Sequence, residues 1–306
     1  MTASTATAAI GVRRRRRHWR EYGLFVLFAF PNIAIIAIFA LWPTLYNVVL
    51  SMLDWDMISP EASWVGLKHY QWLLTSREFV RVLQTTLVFT VAVVGINMVG
   101  GLGLALLLNQ PLRGRDVART LAFAPHVLSG AAVATVWMFL LDPNFGLSRV
   151  VFDAFAASSP QWLTSSRWAL TAIVVVHVWK GLGFAAIIYL AALQGLPQDL
   201  YEAAEIDGAG AWRRFRVLTL PLLSPTTFFL LIISIIGTSQ AFDVIAVMTG
   251  GGPGSATTIL SWFIYEQGFQ SFNVGRAAAG AIVLFLALAV LTVLQRVFLE
   301  RKVHYQ

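Results

Sequence analysis

The sequence predicts an all-α, polytopic membrane protein that crosses the bilayer six times. Of its 306 residues, 58% are hydrophobic and 12% are charged, against a charged share of about 25% in soluble domains. Six long stretches between charged residues are apolar, and the basic residues collect at alternate ends of these stretches. The pattern excludes an ordinary soluble enzyme, whose surface needs far more charge, and it excludes disordered and fibrous proteins.

The apolar stretches define the predicted spans, because a helix needs about 20 apolar residues to cross the hydrocarbon core. The gaps between the charged residues that flank them contain 32, 31, 22, 31, 26 and 19 residues, and only the fourth gap includes a charge, Lys180. We therefore predict transmembrane helices near 23–50, 82–109, 119–141, 168–194, 219–246 and 277–298.

A further uncharged stretch, between Asp243 and Glu266, is not assigned to a span. It contains the run Gly-Gly-Gly-Pro-Gly at 250–254, which cannot form a helix in lipid, where every backbone polar group must be paired. We predict that this stretch is an external loop.

The distribution of lysine and arginine predicts the orientation. Fifteen of the 22 basic residues flank one side of the predicted spans, six flank the other, and Lys180 lies within a span. Cytoplasmic loops carry the excess of basic residues, so the side with 15 is predicted to be cytoplasmic, together with both termini. The net charge of +7 thus reflects topology, and no nucleic-acid partner is expected.

One membrane domain is expected, because nothing in the sequence marks a boundary within it. Residues 1–22 are predicted to form a cytoplasmic N-terminal tail, 23–298 the six-helix domain, and 299–306 a cytoplasmic C-terminal tail. The chain has no cysteine, which excludes disulfides and thiolate metal sites.

The cytoplasmic segment from Leu196 to Pro225 is predicted to contain two short helices joined by a glycine turn. Asp199 is expected to cap the first helix, with Glu202 at the spacing of a capping box. Asp207 and Gly208 are expected to end that helix, because glycine adopts the left-handed conformation freely. On composition alone the segment would be an amphipathic connector at the membrane surface.

The order of residues in this segment resembles the EAA motif of permease subunits from binding-protein-dependent ABC importers. The matching residues keep the motif's order and spacing: Glu202, Ala203, Ala204, Asp207, Gly208, Ala209, Phe215, Leu220, Pro221 and Pro225. The outer segments 142–147 and 249–253 also resemble carbohydrate permeases of the maltose-permease kind, so the resemblance covers about 23–306. It implies a type I ABC importer permease fold in the bacterial inner membrane.

The resemblance also implies how such a chain meets its partners. Segment 196–221, called the coupling loop below, would contact a cytoplasmic ATPase through Glu202, Ala203, Ala204, Asp207, Gly208 and Phe215. The implied partners are a second, similar permease chain in a heterodimer, two ABC ATPase subunits, an extracytoplasmic solute-binding protein and membrane lipid.

The substrate class follows from a finer resemblance within the same family. The run Ile-Asp-Gly-Ala-Gly at 206–210 and the end of the chain, 300–306, resemble permeases for glycerol-3-phosphate or glycerophosphodiesters. A permease for a neutral sugar of the maltose or trehalose type is the alternative. A secondary transporter would explain the spans but not the coupling loop.

Four polar residues at membrane depth are candidates for a translocation path. Lys180 and His177 share one face of the fourth span, and Gln240 and Asp243 share one face near the outer end of the fifth. Ionisable groups at this depth usually face a cavity or the bundle interior. The alternatives are that Lys180 is a structural anchor, that Asp243 marks the end of its span, and that His177 and Asn97 bond neighbouring helices.

No catalytic residues, metal or cofactor are expected. The three lysines are followed by His69, Gly181 and Val303, so the chain lacks a phosphate-binding loop that ends in Gly-Lys-Ser/Thr, and another chain would have to hydrolyse ATP. The five histidines do not show metal-ligand spacing. A membrane-embedded enzyme is disfavoured because no convergent set of His, Asp and Glu residues is evident.

Overall fold

A computed structural model describes residues 25–111 and 113–299. Apart from Leu299, the predicted tails 1–22 and 299–306 lie outside the described residues. The helices are α1 (Phe25–Leu50), α2 (Lys68–Thr75), α3 (Arg77–Leu108), α4 (Arg115–Val127), α5 (Gly130–Leu140), α6 (Leu147–Ala154), α7 (Ala169–Gln194), α8 (Gln198–Ile206), α9 (Ala211–Arg214), α10 (Ser224–Ser239), α11 (Asp243–Met248), α12 (Leu260–Tyr265) and α13 (Val274–Leu299).

Three π turns, the three-residue helical segment Leu220–Leu222 and one short hairpin complete the described architecture. The π turns are Ala37–Leu41 within α1, Phe215–Thr219 after α9 and Glu266–Gln270 after α12. Strands β1 (Leu53–Asp54) and β2 (Ser63–Trp64) pair antiparallel on the predicted outer side, with Leu53 opposite Trp64.

Five of the six predicted spans appear as helices that are long and apolar enough to cross a bilayer. They are α1, α3, α7, α13 and the segment Ser224–Met248, which joins α10 and α11. Helix α3 begins at Arg77, earlier than the predicted start at 82, because Ser76 caps it: the Phe79 N–H donates to Ser76 Oγ at 3.4 Å. The all-α membrane fold is confirmed.

The prediction of one continuous helix at 119–141 is wrong. The segment is divided into α4 and α5, which are bent by 103° relative to each other. Pro125 lies inside α4 and cannot donate a backbone hydrogen bond, and Leu128 adopts extended backbone angles (φ −70°, ψ 144°), which end the helix.

The predicted external loop between Asp243 and Glu266 is only partly correct. Asp243–Met248 and Leu260–Tyr265 are helical, and only the glycine-rich segment between them is irregular. Thr257 and Thr258 are buried in that segment, and their hydroxyls donate to the carbonyls of Gly252 and Gly251 at 2.8 and 3.0 Å. Side chains thus pair the backbone groups that glycine and proline leave without helical partners.

The contact between α3 and α7 forms the core of the bundle, and small residues allow the two helices to approach each other closely. A Cβ on Gly101 would lie 2.7 Å from the Ala185 Cβ, and one on Gly100 would lie 2.7 Å from the Leu182 Cδ1. A Cβ on Gly183 would lie 1.7 Å from the Ala122 carbonyl oxygen of α4. Helix α7 is therefore held against α3 on one side and α4 on the other.

The close approach of α4 to α7 predicts that Gly183→Ala destabilises the chain. The Ala122 backbone must move to make room, and overpacking of this kind costs about 1–3 kcal/mol. Gly95→Ala is the matched control, because a Cβ at Gly95 in α3 meets nothing within 4 Å and both changes raise helix propensity equally. Thermal unfolding in detergent measures the difference, and equal melting temperatures for the two variants would contradict the packing account.

Candidate functional site

A cavity of about 240 Å³ opens between α3, α4, α7, α10 and α11. All four residues of the predicted translocation path line it. The polar residues in its wall are Asn97, His126, His177, Lys180, Ser234, Thr238, Gln240 and Asp243. The structure thus brings together, in one place, side chains that are up to 146 positions apart in the sequence.

Lys180 is the cationic side chain of the cavity wall, and it is half-buried. Among the residues that the structure describes, no carboxylate oxygen lies within ion-pair distance of its ammonium group. An ammonium group at membrane depth is costly unless it is paired or hydrated. The arrangement therefore favours a cavity that contains water or an anionic group beside Lys180.

His177 is fixed to its own helix. Its Nδ1 atom lies 3.0 Å from the Ile173 carbonyl oxygen, which can only accept, so Nδ1 carries the proton. The ring of Phe89 meets the imidazole edge-on, with 5.0 Å between ring centroids. These contacts hold the ring in one orientation at the cavity wall.

Asp243 faces the beginning of α5 as well as the cavity. Its Oδ1 accepts the Val244 N–H at 2.9 Å, and its carboxylate lies so close to Gly130 that a Cβ there would fall 1.4 Å from Oδ2. The amino end of a helix carries partial positive charge, so α5 stabilises the carboxylate. The partial positive charge at the beginning of α5 therefore offsets part of the field of the Asp243 carboxylate in the cavity.

Asn97 on α3 lies in the cavity wall with a buried amide oxygen that lacks a hydrogen-bond partner in the described ranges. Its side chain is 6% exposed, and its Oδ1 has no hydrogen-bond partner among the described residues. A Cβ on Gly181 would lie 2.5 Å from its Nδ2, so the glycine makes room for the amide. A buried polar atom without a partner is uncommon, and here it belongs to a residue that lines a cavity large enough for a ligand.

Sequence reasoning missed His126, which lies near the end of α4. Its ring stacks on Phe184 of α7, with centroids 4.5 Å apart and planes inclined by 15°. The signal that could have found it is the one that identified Lys180, a titratable residue inside a predicted span.

The coupling loop follows the carboxyl end of α7 and forms a second candidate site. Helix α8 ends at a turn in which Gly208 has φ +71°. The Gly208 N–H donates to Glu205 and the Ala209 N–H donates to Ala204, at 3.0 and 2.9 Å, the pair of bonds that defines a Schellman motif. The expected cap at Asp199 is wrong: the helix begins at Gln198 after Pro197, without a side-chain cap.

Two large apolar side chains of this loop are exposed. Ile206 is 87% and Trp212 is 72% exposed, and they lie on either side of the turn. The predicted coupling residues Glu202, Ala203, Asp207 and Gly208 are exposed as well, while Ala204 and Phe215 are half-buried. Exposed apolar groups rimmed by charges indicate a surface for protein contact.

Comparison with protein families gives one match that covers most of the chain. Residues 97–304 match the family described as the binding-protein-dependent transport system inner membrane component. The matched range includes the cavity helices α7, α10 and α11 and the whole coupling loop.

Individual relatives match over nearly the full length. The sn-glycerol-3-phosphate transport system permease protein UgpA of Yersinia pestis bv. Antiqua is 39% identical over 291 residues, which are 94% of this chain and 96% of that protein. The trehalose/maltose transport system permease protein MalF of Thermococcus litoralis is 34% identical over 282 residues, which are 92% and 94% of the two chains.

Solved structures of ABC transporters share the fold. A chain of a bacterial ABC transporter involved in the import of the acidic polysaccharide alginate superimposes with a TM-score of 0.79 and 25% identity, covering 94% of this chain and 99% of that one. A second structure of the alginate transporter, in complex with its periplasmic protein bound to an alginate pentasaccharide, gives 0.80 at 24% identity. The chain therefore belongs to the family of inner-membrane permease components of binding-protein-dependent ABC importers.

Proposed function

We propose that this importer permease carries glycerol-3-phosphate or a glycerophosphodiester through the cavity beside Lys180. The observation that carries the proposal is a half-buried ammonium group without a carboxylate partner among the described residues, in the wall of a cavity of about 240 Å³. Relatives named as sn-glycerol-3-phosphate permeases, up to 39% identical, support the same substrate class.

The chemistry of the cavity wall suits a ligand with an anionic end and a hydroxyl-bearing end. Lys180 supplies a compact point charge of the kind that binds phosphate. A phosphate beside it would offset the cost of keeping the ammonium in a low-dielectric path. Asn97 Oδ1 and the Asp243 carboxylate are acceptors for hydroxyl groups, and a glycerol unit provides such donors.

A neutral sugar is the second candidate substrate. It is supported by the relative named as a trehalose/maltose permease and by the acceptors Asn97 and Asp243, which suit sugar hydroxyls. It would leave the charge of Lys180 without a counter-ion, although the ammonium could still donate hydrogen bonds to a sugar.

We further propose that the coupling loop binds an ABC ATPase, and that another chain hydrolyses ATP. Exposed Ile206 and Trp212 support this docking surface, because apolar side chains on a cytoplasmic loop gain free energy when a partner covers them. The assembly would contain a second permease chain in a heterodimer, two ATPase subunits and a solute-binding protein. A secondary transporter would need no such loop, and uptake that persists without ATP would favour it.

Replacement of Lys180 tests the substrate proposal. Lys180→Met should lower uptake of labelled glycerol-3-phosphate by the reconstituted complex roughly 10- to 100-fold, because a hydrogen bond to a charged group contributes about 1.5–3 kcal/mol. Lys180→Arg should retain most of the uptake, and the amount of assembled complex should change little in either variant.

Uptake of several labelled compounds distinguishes a glycerol phosphate from a neutral sugar as the substrate. Labelled glycerophosphodiesters, maltose and trehalose should be supplied to the same proteoliposomes. Transport of the neutral disaccharides alone, or uptake of glycerol-3-phosphate that does not depend on the charge at position 180, would contradict the phosphate proposal.

The left-handed turn of the coupling loop gives a prediction about ATPase coupling. Gly208→Val should reduce ATP-driven uptake by at least about tenfold, because a β-branched residue at positive φ costs more than the roughly 1–2 kcal/mol of an ordinary residue. Gly210→Val is the matched control, since Gly210 has φ −64° and ψ 163°, and a Cβ there meets nothing within 4 Å. Equal uptake and ATPase stimulation in the two variants would rule out this role for the turn.

The proposed orientation is open to a labelling experiment in a chain that lacks cysteine. Ser255 is exposed in the glycine-rich segment and Gly210 is exposed in the coupling loop. In sealed cells, Ser255→Cys should react with an impermeant thiol reagent added outside, and Gly210→Cys should react only after the cells are opened. The reverse pattern would overturn the orientation that the basic residues predict.

A further inference from the structure

The coupling loop contains two side-chain cross-links that join its helices on either side of the glycine turn. Arg214 Nη1 donates to Glu205 Oε2 at 2.7 Å. The hydroxyls of Tyr201 and Thr219 lie 2.9 Å apart and share a hydrogen bond. Both bonds connect α8 with the segment that follows the turn.

The spacing of the four residues explains how one pair of elements forms two bonds. Tyr201 and Glu205 are four apart on α8, so they lie on the same face of that helix. Arg214 and Thr219 are five apart, and the π turn Phe215–Thr219 lies between them. A π turn bonds residues five apart, and it aligns Arg214 and Thr219 along one side, opposite α8.

We infer that Tyr201, Glu205, Arg214 and Thr219 are positioning residues that make the two arms of the coupling loop move as one unit. The inference rests on the proposed docking of an ATPase at this loop. The turn alone would not transmit a displacement of α8, because Gly208 and Gly210 give its backbone wide conformational freedom. The two cross-links restrict that freedom, because they connect the middle and the end of α8 to the second arm.

The second arm leads directly to the cavity. After the π turn, the helical segment Leu220–Leu222 continues into α10, and the Thr227 N–H donates to the Leu223 carbonyl at 2.8 Å. Helix α10 carries Ser234 and Thr238 into the cavity wall. A displacement of α8 that passes through Thr219 would therefore reach the cavity through backbone that is helical except for a single turn residue, Leu223.

The two cross-links differ in their exposure to solvent, so the exposed one can be removed to test coupling without a large change in folding stability. Thr219 is 5% exposed, whereas the side chains of Arg214 and Glu205 are 27% and 74% exposed. Ion pairs this exposed contribute little to folding stability. Loss of the Glu205–Arg214 pair should therefore leave the chain folded and change how it responds to the ATPase.

Charge exchange in the full complex tests the inference. The complex of permease chains, ATPases and solute-binding protein is reconstituted in proteoliposomes, and the labelled glycerol-3-phosphate transported per ATP hydrolysed is measured. Glu205→Arg and Arg214→Glu should each lower this ratio roughly three- to fivefold, the scale expected for an ion pair of this exposure. The double exchange should restore the ratio to within about twofold of the original, because the pair is remade with reversed charges.

Two controls distinguish positioning from a direct contact with the ATPase. Arg113→Glu reverses an exposed charge outside the coupling loop and should leave the ratio unchanged. Tyr201→Phe and Thr219→Val each remove one partner of the Tyr201–Thr219 hydrogen bond. The double variant should lower the ratio no further than either single variant does. Assembly of the complex and its basal ATP hydrolysis should stay near the original values throughout.

The outcomes that overturn the inference differ from those that overturn the proposed function. Single variants with an unchanged ratio, or a double exchange that fails to restore it, would show that these residues do not act through each other. Uptake that needs no ATP, or a permease that does not associate with an ATPase, would instead remove the proposed docking and the inference with it.

Discussion

The close contact between α3 and α7 is the constraint on which the rest of the structure depends. Glycines at Gly100, Gly101 and Gly181 let the two helices approach, and any side chain there would collide with its neighbour. Association of helices in lipid relies on such packing, because burial of apolar surface gives little gain there. The same contact places Asn97 of α3 against Gly181 of α7, at the cavity that Lys180 also lines, so one interface determines both the packing and the position of the polar groups.

Broken helices surround that interface, and two of the breaks meet at Asp243. The bend between α4 and α5 brings the amino end of α5 to the Asp243 carboxylate, and the break before α11 brings Asp243 to the same point. Buried threonine hydroxyls pair the irregular glycine segment farther along the chain. Irregular backbone at membrane depth is tolerated only when it is buried in protein or lines a cavity, and the breaks before α5 and α11 both adjoin Asp243 in the cavity wall.

Much of this architecture could be predicted from residue order, and the failures have physical reasons. The long stretches without charged residues predict the spans, because a charged side chain in the hydrocarbon core is costly at any position. The break at Leu128 was not predicted, because a gap between charges marks an apolar segment without showing whether a proline such as Pro125 ends the helix within it. Lys180 and Asp243 were identified as polar residues at membrane depth, but the contact of Asp243 with Gly130 depends on a fold that no local spacing encodes. The EAA-like order predicts the turn at Gly208. The two hydrogen bonds between the arms of the loop could not be predicted, because they depend on how the arms fold against each other.

In the proposed transport cycle an anionic ligand occupies the cavity beside Lys180. A structure of the assembled importer, determined by electron cryomicroscopy with saturating glycerol-3-phosphate, would show where the ligand lies. We expect ligand density in the cavity, with the phosphate within hydrogen-bonding distance of Lys180 Nζ and a glycerol hydroxyl near Asn97 Oδ1. Density for the ligand elsewhere in the translocation path, or in this cavity with its phosphate directed away from Lys180, would contradict the proposal.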